Sequence, residues 1–218
     1  MPTFINYKPY FLNRRTSNGG GLLILVRNDF NSISLDLTPY PSGKLEVNAV
    51  TVYVNNNPFN IINLYNPNQT ISKDEFTHYF NQGGHNYVIC GDFNSRHPLW
   101  DDRFPPNAAG RNLAGTIEEL DCILLIRKNL PTYYHAQTDA FSTLDLAFAP
   151  SHLYQIGKVD LIDDIYSDHC PLLITLEIDP HLVQIKCRRK WKFTENWHAW
   201  TEQLPDLHLE NNPERDNN

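Results

Sequence analysis

Acidic residues near the start, long apolar runs and paired cysteines are all missing from this 218-residue sequence. Residues 1–28 contain neither Asp nor Glu, so this stretch offers no carboxylate to a metal ion or to a reaction. No apolar run is longer than Leu22–Val26, which is much too short to cross a bilayer. The four cysteines form no C-x-x-C pair, which argues against a structural zinc site and a disulfide framework. These absences favour an intracellular protein without a membrane span.

The composition supports one folded domain with a short extension. Hydrophobic residues make up 41% of the chain, which is enough for a packed core in a domain of this length. The formal net charge of −7 would repel a polyanion on average. It does not exclude a nucleic-acid substrate, because carboxylates that hold a divalent cation make a site acidic while local arginines track the phosphate backbone.

Hydrophobic periodicity and turn residues predict a mixed α/β or α+β domain over residues 1–180. The predicted strands are Leu22–Val26, Asn31–Leu37, Lys44–Val54, Phe59–Tyr65, Asn86–Cys90, Leu144–Ala149, Lys158–Ile162 and Pro171–Ile178. The predicted helices are Lys73–Gln82, which opens on a Ser72/Glu75 capping box, and Arg111–Leu120. Residues 181–218 are basic and aromatic, and we expect a linker there with a short helix around Trp197 and Trp200 and a disordered tail.

The motif Gly-Asp-Phe-Asn at residues 91–94 follows a predicted buried strand. A strand that ends in Gly-Asp presents its carboxylate at the sheet edge, where ligands commonly bind. Asp92 can there accept a proton from an attacking water, and Asn94 can donate hydrogen bonds to a phosphate. The alternative is an ordinary Gly-Asp turn capped by Asn, which is common at strand ends.

A second acidic motif, Ser-Asp-His at residues 167–169, precedes a predicted strand. Asp168 would be a hard oxygen ligand for Mg²⁺, and His169 could contact a scissile phosphate if a carboxylate set its orientation. Asp145 is the best candidate for that carboxylate, and Ser142 could hydrogen-bond into the same cluster. Taken alone, Ser-Asp-His would more often be a capped loop with a surface histidine.

Tyr65 ends a predicted strand, and a phenol there can donate to a phosphate or steady a leaving oxygen. A lone tyrosine at a strand end is usually packing. The order of the motifs changes this interpretation: Tyr-Asn-Pro, G-D-F-N, S-T-L-D-L and S-D-H occur once each, in sequence, each beside a predicted strand. Together they suit metal-assisted phosphodiester cleavage.

That order resembles the endonuclease/exonuclease/phosphatase superfamily, and most closely the endonuclease domain of jockey-type non-LTR retrotransposons. The resemblance runs from about residue 10 to residue 178 and includes the glycine-led strand G-G-G-L-L-I-L-V-R and the stretch G-D-F-N-S-R-H-P-L-W. It implies a DNase I-like four-layer sandwich of two mixed β-sheets flanked by helices. It also implies Mg²⁺- or Mn²⁺-dependent nicking of double-stranded DNA, leaving a 3′-hydroxyl for a reverse transcriptase domain elsewhere in the element.

Carried over by position, the resemblance assigns roles to the motif residues. Asp92 would activate the water and Asn94 would hold the phosphate, with Tyr65 at the phosphate or leaving group. Asp168 would belong to the metal site, and His169, paired with Asp145, would stabilise charge on the phosphate. The further substrate-binding positions expected on this basis are Ser142, which supports the pair, Arg96 and Asn107. We expect a monomer, and a nuclear location follows from the substrate.

One departure from the family pattern lowers the expected activity. Family members open with a strand carrying an Asn and then a helix ending near a metal-binding Glu, whereas residues 1–28 here hold no acid. We therefore expect a truncated domain with a weakly held cation and weak or absent cleavage. The alternatives are a catalytically inactive fold that binds DNA or a partner, another phosphoesterase acting on inositol phosphates, sphingomyelin or RNA tails, and a fragment that does not fold alone.

Overall fold

A six-stranded mixed sheet carries most of the core in the computed structural model, which describes residues 4–14, 20–162, 167–178 and 181–187. The helices are α1 (Lys73–Phe80), continued by a 3-10 turn at Asn81–Gly83, and α2 (Ala108–Glu119). The strands are β1 (Tyr7–Asn13), β2 (Gly21–Arg27), β3 (Asn31–Ser34), β4 (Glu46–Val54), β5 (Asn57–Tyr65), β6 (Tyr87–Asp92), β7 (Cys122–Leu124), β8 (Tyr133–His135), β9 (Ala140–Ser142), β10 (Asp145–Pro150), β11 (Gly157–Leu161), β12 (Leu172–Ile178) and β13 (His181–Cys187).

The main sheet has the strand order β3-β4-β5-β6-β10-β7, in which only β5 and β6 run parallel. Asn55 and Asn56 close the β4–β5 hairpin, and both take positive φ values, as a two-residue turn between twisted strands requires. The remaining strands form a β1–β2 pair, a β8–β9 hairpin and a three-stranded β11-β12-β13 sheet. One mixed sheet, further antiparallel sheets and few helices confirm the predicted α+β sandwich class.

Helices α1 and α2 pack on each other, and aromatic side chains join α1 to the main sheet. Phe76 stacks on Phe93, while Phe80 and Phe93 each make an edge contact with Phe148 on β10. All four rings are at most 2% exposed, so this cluster anchors β6 and β10 side by side. The strand ends that carry Asp92 and Asp145 are therefore held by a closely packed core.

Most of the predicted elements are confirmed, and the differences have local causes. Helix α2 starts at Ala108 rather than Arg111, because the Asn107 side chain caps it by accepting from the Gly110 N–H at 2.7 Å. Strand β1 was missed because Pro9 weakens the strand pattern, but β1 is paired only with β2 in the described part of the chain.

The boundary predicted at residue 180 stays a prediction, but a strand lies beyond it: β13 (His181–Cys187) pairs with β12 and continues the sheet. Its alternating sequence, with the β-branched Val183 and Ile185, suits a strand. The helix predicted around Trp197 and the predicted disordered tail lie outside the described residues. Cys90 is disulfide-bonded, although the cysteine spacing argued against a disulfide framework, and Cys122 carries a free thiol.

No helix within the described ranges is both long and apolar enough to span a membrane.

Candidate active site

Three of the predicted site residues lie side by side at one end of the inner strands of the main sheet, where they pair with one another across the strands. We call this line of paired residues the register row. Tyr65, the last residue of β5, pairs with Asp92, the last residue of β6. Asp92 in turn pairs with Asp145, the first residue of β10. Residues that pair across neighbouring strands project from the same face of a sheet. The row therefore places a phenol and two carboxylates next to one another.

Because residue 91 is a glycine, the end of β6 that carries Asp92 can lie very close to β5. The φ of Gly91 is +145°, and a Cβ at this position would lie 2.0 Å from the Leu64 carbonyl oxygen. No side chain can be accommodated at that distance from the backbone. The glycine of the G-D-F-N motif is thus explained by the close approach of two strands rather than by a ligand.

Asn94 holds the Asp92 carboxylate. Asn94 takes a positive φ of 45°, its backbone N–H donates to Asp92 Oδ1 at 3.1 Å, and its side-chain Nδ2 donates to Asp92 Oδ2 at 3.1 Å. Nδ2 also donates to the Asn66 carbonyl at 2.9 Å. In this geometry Asn94 orients the proposed base, while its predicted contact with a phosphate stays a prediction.

His169 and Asp145 form the predicted pair. His169 Nδ1 lies 3.2 Å from Asp145 Oδ2, and because a carboxylate can only accept, Nδ1 is the donor. Asp145 is 1% exposed, so the pair joins a buried carboxylate to a half-buried imidazole. This bond fixes the ring and directs Nε2 away from Asp145.

Thr132, which precedes β8, organises the Asp145 side of the pair. Its buried hydroxyl donates to Asp145 Oδ2 at 3.2 Å. The same oxygen accepts from the backbone N–H groups of Leu144 and Asp145, at 3.0 and 3.1 Å. One hydroxyl therefore sets both the backbone and the carboxylate of Asp145. Sequence reasoning missed it, since a threonine ahead of a short hairpin has no distinguishing pattern.

Tyr133, on β8, places an aromatic ring between two imidazoles. Its ring packs edge-on against His135 and His169, with centroids 4.6 Å apart in both cases. Burial, followed by the charges of Asp168 and Asp92, raises the pKa of Tyr133. The phenol consequently stays protonated at neutral pH and remains a hydrogen-bond donor close to the two carboxylates.

Ser142 does not reach the Asp145–His169 pair. Its side chain is fully buried, and its hydroxyl lies 2.8 Å from His135 Nε2. Burial, and then the nearby Arg96 guanidinium, lower the pKa of His135, which favours the neutral imidazole. Ser142 thus stabilises the β8–β9 hairpin. It makes no direct hydrogen bond to His169 and can support that residue only indirectly, through the hairpin.

Asn107 joins the G-D-F-N segment to α2. Its Oδ1 accepts from the backbone N–H groups of Arg96 and Gly110, and its Nδ2 donates to the Asn94 carbonyl at 2.9 Å. Its oxygen and one N–H of its Nδ2 thus hold the scaffold together, while its predicted contact with the substrate stays a prediction. By contrast, the buried Nε of Arg96 has no hydrogen-bond partner within the described residues, and its guanidinium lies 5.5 Å from the Phe104 ring centroid. The predicted contact of Arg96 with the substrate stays a prediction.

Side chains of the segment that follows the G-D-F-N motif hold the loop with the S-T-L-D-L motif in place. Trp100 is fully buried and donates from Nε1 to the Ser95 carbonyl at 2.9 Å. Asp101 accepts from the Thr143 N–H at 2.8 Å and pairs with Arg103, whose Nη2 donates to the Thr143 hydroxyl. These contacts fix the segment that leads into Asp145.

Asp168 is exposed, and its backbone carbonyl accepts from the Tyr134 N–H at 2.7 Å. No group of three or more His, Cys, Asp or Glu side chains placed to hold a metal occurs among the described residues. Mg²⁺ often binds through one or two carboxylates and several waters, so Asp168 stays the predicted ligand. The described residues do not fit a tightly held cation by themselves.

The predicted endonuclease/exonuclease/phosphatase superfamily is confirmed by a match to a family model and by the fold. The solved endonuclease domain of TRAS1, a telomere-specific non-LTR retrotransposon, superimposes with a TM-score of 0.64 at 17% sequence identity, covering 81% of this chain and 82% of that one. This likeness shows the fold alone.

The model of the family described as Endonuclease-reverse transcriptase matches residues 59–173, just over half of the chain. The chain belongs to this family. It is 26% identical over 205 residues to a probable RNA-directed DNA polymerase from transposon BS of Drosophila melanogaster, covering 92% of this chain and 22% of that protein. It is 24% identical over 159 residues to the corresponding protein from transposon X-element of the same organism, covering 72% and 17%. The chain thus spans about a fifth of the length of the curated relatives it matches.

Proposed function

We propose that this chain nicks double-stranded DNA by hydrolysing a phosphodiester bond, as the endonuclease part of a retrotransposon protein that also carries a reverse transcriptase. The observation that supports it most is the arrangement around Asp92, which Asn94 orients beside the Asp145–His169 pair. A base, an oriented imidazole and a phenol at one sheet edge suit attack by water on a phosphorus atom.

The reaction follows from these positions. Asp92 accepts a proton from water as the water oxygen bonds to phosphorus, and the bond from phosphorus to the 3′ oxygen breaks. His169, held through Nδ1 by Asp145, faces the phosphate with Nε2 and stabilises the charge that develops on its oxygens. Tyr65 donates a hydrogen bond to the leaving 3′ oxygen, which takes a proton from solvent water and ends as a hydroxyl. Asp92 returns the proton it accepted to solvent, and the new oxygen stays on the 5′-phosphate.

The expected cofactor is Mg²⁺ or Mn²⁺, which would supply positive charge next to the phosphate when bound. Asp168 is the residue that would hold it. Since the described residues gather fewer than three such ligands, we propose weak cation binding and slow nicking. The same observation favours a second candidate function, in which the chain binds DNA with salt-sensitive affinity and does not cleave it.

A supercoiled-plasmid nicking assay tests the proposal. The wild type is compared with Asp92→Asn and His169→Gln, in Mg²⁺, in Mn²⁺ and in EDTA. The matched controls are Asp160→Asn and His152→Gln, which alter an exposed aspartate paired with Lys158 and an exposed histidine stacked on His85. We expect cation-dependent nicking that both site variants lose and both controls keep.

Two other results would decide against this function. Nicking that survives in Asp92→Asn would assign the activity to a contaminant or to another site. A wild type that melts cooperatively and binds DNA but never nicks it would support the binding function instead.

A further inference from the structure

Arg14 lies next to one end of the register row that forms the candidate active site. Glu46, the first residue of β4, pairs with Tyr65, so the row runs from Glu46 through Tyr65 and Asp92 to Asp145. Arg14 Nε donates to Glu46 Oε1 at 2.6 Å, and its guanidinium carbon lies 5.7 Å from the centroid of the Tyr65 ring. A positive charge is therefore placed directly beside the phenol of the site.

Several contacts confine this guanidinium. Glu46, and more weakly Tyr65, raise the pKa of Arg14, so that the side chain is always charged. Gly20 has a φ of +91°, and a Cβ there would lie 2.8 Å from Arg14 Nη1. The guanidinium thus passes close over Gly20, and its bond to Glu46 sets its orientation.

One nitrogen of the confined group is left over. Arg14 Nη2 is buried, and within the described part of the chain it has no hydrogen-bond partner. Buried donors are nearly always paired, because an unpaired one loses its hydration without replacement. Glu46 Oε2 is likewise buried without a partner in those residues, but its charge is already matched by the bond to Nε. The spare donor suggests an acceptor supplied by a ligand.

We propose that Arg14 is a further substrate-contacting residue, whose Nη2 donates to a phosphate oxygen of the DNA strand next to Tyr65. The inference rests on the proposed function, since the phosphate is the one aligned with Asp92 and His169 or its neighbour. Guanidinium donors suit phosphate oxygens in geometry and charge. The carboxylate of Glu46 neutralises the charge of Arg14 as seen from a distance, so Arg14 contributes to binding through a direct hydrogen bond to the phosphate. Glu46 is the residue that positions Arg14.

The test compares Arg14→Met with Arg27→Met in steady-state nicking of a short duplex and in DNA binding by fluorescence anisotropy. Arg27 is a matched control from the same β1–β2 pair. Like Arg14 it is held by a carboxylate, here that of Asp29, and lies over an aromatic ring, here that of Phe30. We expect Arg14→Met to raise KM and the dissociation constant by roughly 10- to 100-fold, with a smaller change in kcat. It should also flatten the salt dependence of binding by up to about 0.9 in log–log slope, the value for one phosphate contact. Arg27→Met should match the wild type.

Melting curves and a second variant keep the test decisive if Arg14→Met does not fold. Arg14→Lys retains the charge but lacks the second planar donor, so it should keep the fold and show an intermediate KM. Wild-type nicking with KM and salt slope unchanged in a folded Arg14 variant would overturn the inference alone. If the wild type binds DNA without nicking it, the proposed cleavage activity is refuted. The salt dependence of DNA binding by Arg14→Met still tests whether Arg14 contacts a phosphate. A wild type that neither nicks nor binds overturns both.

Discussion

Replacing Thr132 by valine removes one hydroxyl from the centre of the candidate site with little change of shape. That hydroxyl donates to Asp145 Oδ2 and accepts from two backbone N–H groups, those of Leu144 and Asp145. Valine preserves the branched side chain, so packing changes little. The two N–H groups and the carboxylate would be left short of partners in a region where Thr132 and Asp145 are at most 1% exposed.

The magnitude follows from these contacts. A buried polar group that loses its partner costs about 1–3 kcal/mol, and the two N–H groups share a single acceptor, so their losses do not add fully. We expect Thr132→Val to lower the free energy of unfolding by about 2–4 kcal/mol, out of the roughly 5–15 kcal/mol typical of a domain. Because Asp145 would also hold His169 less firmly, nicking should slow.

Urea unfolding of the wild type, Thr132→Val and Thr132→Ser measures the effect. Serine keeps the hydroxyl and loses only a methyl group, so it should cost about 1 kcal/mol. The midpoint should fall for valine with an unchanged slope, as for a change in native-state stability. A valine variant within about 0.5 kcal/mol of the wild type, or equal to the serine variant, would refute the assignment of Thr132 as the organiser of Asp145.

Two further predictions address the backbone beside Asp92 and the pH dependence of stability. Gly91→Ala should destabilise the fold by more than about 2 kcal/mol, because its Cβ would lie 2.0 Å from the Leu64 carbonyl oxygen. Gly43→Ala should cost only about 1–2 kcal/mol, because Gly43 also has a positive φ but its added Cβ would lie 4.0 Å from the Tyr40 carbonyl oxygen. Equal losses in thermal melts would contradict the steric explanation. Since burial and Arg96 lower the pKa of His135, the unfolded chain binds more protons below the ordinary histidine pKa of about 6.5. Stability contributed by neutral His135 is therefore present above that pH and is lost as pH falls through the folded pKa. Urea titrations at several pH values should give a shallower acid decline for His135→Gln, and an unchanged decline would exclude this group as its source.

The sequence was sufficient for five of the six strands of the central sheet, all but β7 (Cys122–Leu124), and for the pairing of distant motifs. Asp92 could be placed at a strand end because a continuous apolar strand precedes Gly91, and the structure shows that ending. The Asp145–His169 pair could be predicted from the types and order of residues, and the two side chains are 3.2 Å apart. Periodicity and chemistry agree at these positions, so local patterns suffice.

Other features depended on tertiary contacts that no local pattern carries. Thr132 and Tyr133 act through partners on β9, on β10 and near β12, and nothing in their own segment distinguishes them from packing residues. Asn107 also caps α2 and holds the G-D-F-N loop, a role that depends on the close approach of α2 to that loop. Arg14 gains its place only because Glu46 and Tyr65 occupy neighbouring strands.

The most direct test of the central claim is where oxygen from the solvent enters the nicked product. Nicking in ¹⁸O-enriched water, followed by mass spectrometry of the ends, should place one ¹⁸O on the 5′-phosphate and leave an unlabelled 3′-hydroxyl that a polymerase can extend. The label should disappear together with the nicking activity in Asp92→Asn. Product ends with a 3′-phosphate, or label that is independent of Asp92, would contradict water attack directed by the Asp92 and Asp145–His169 site.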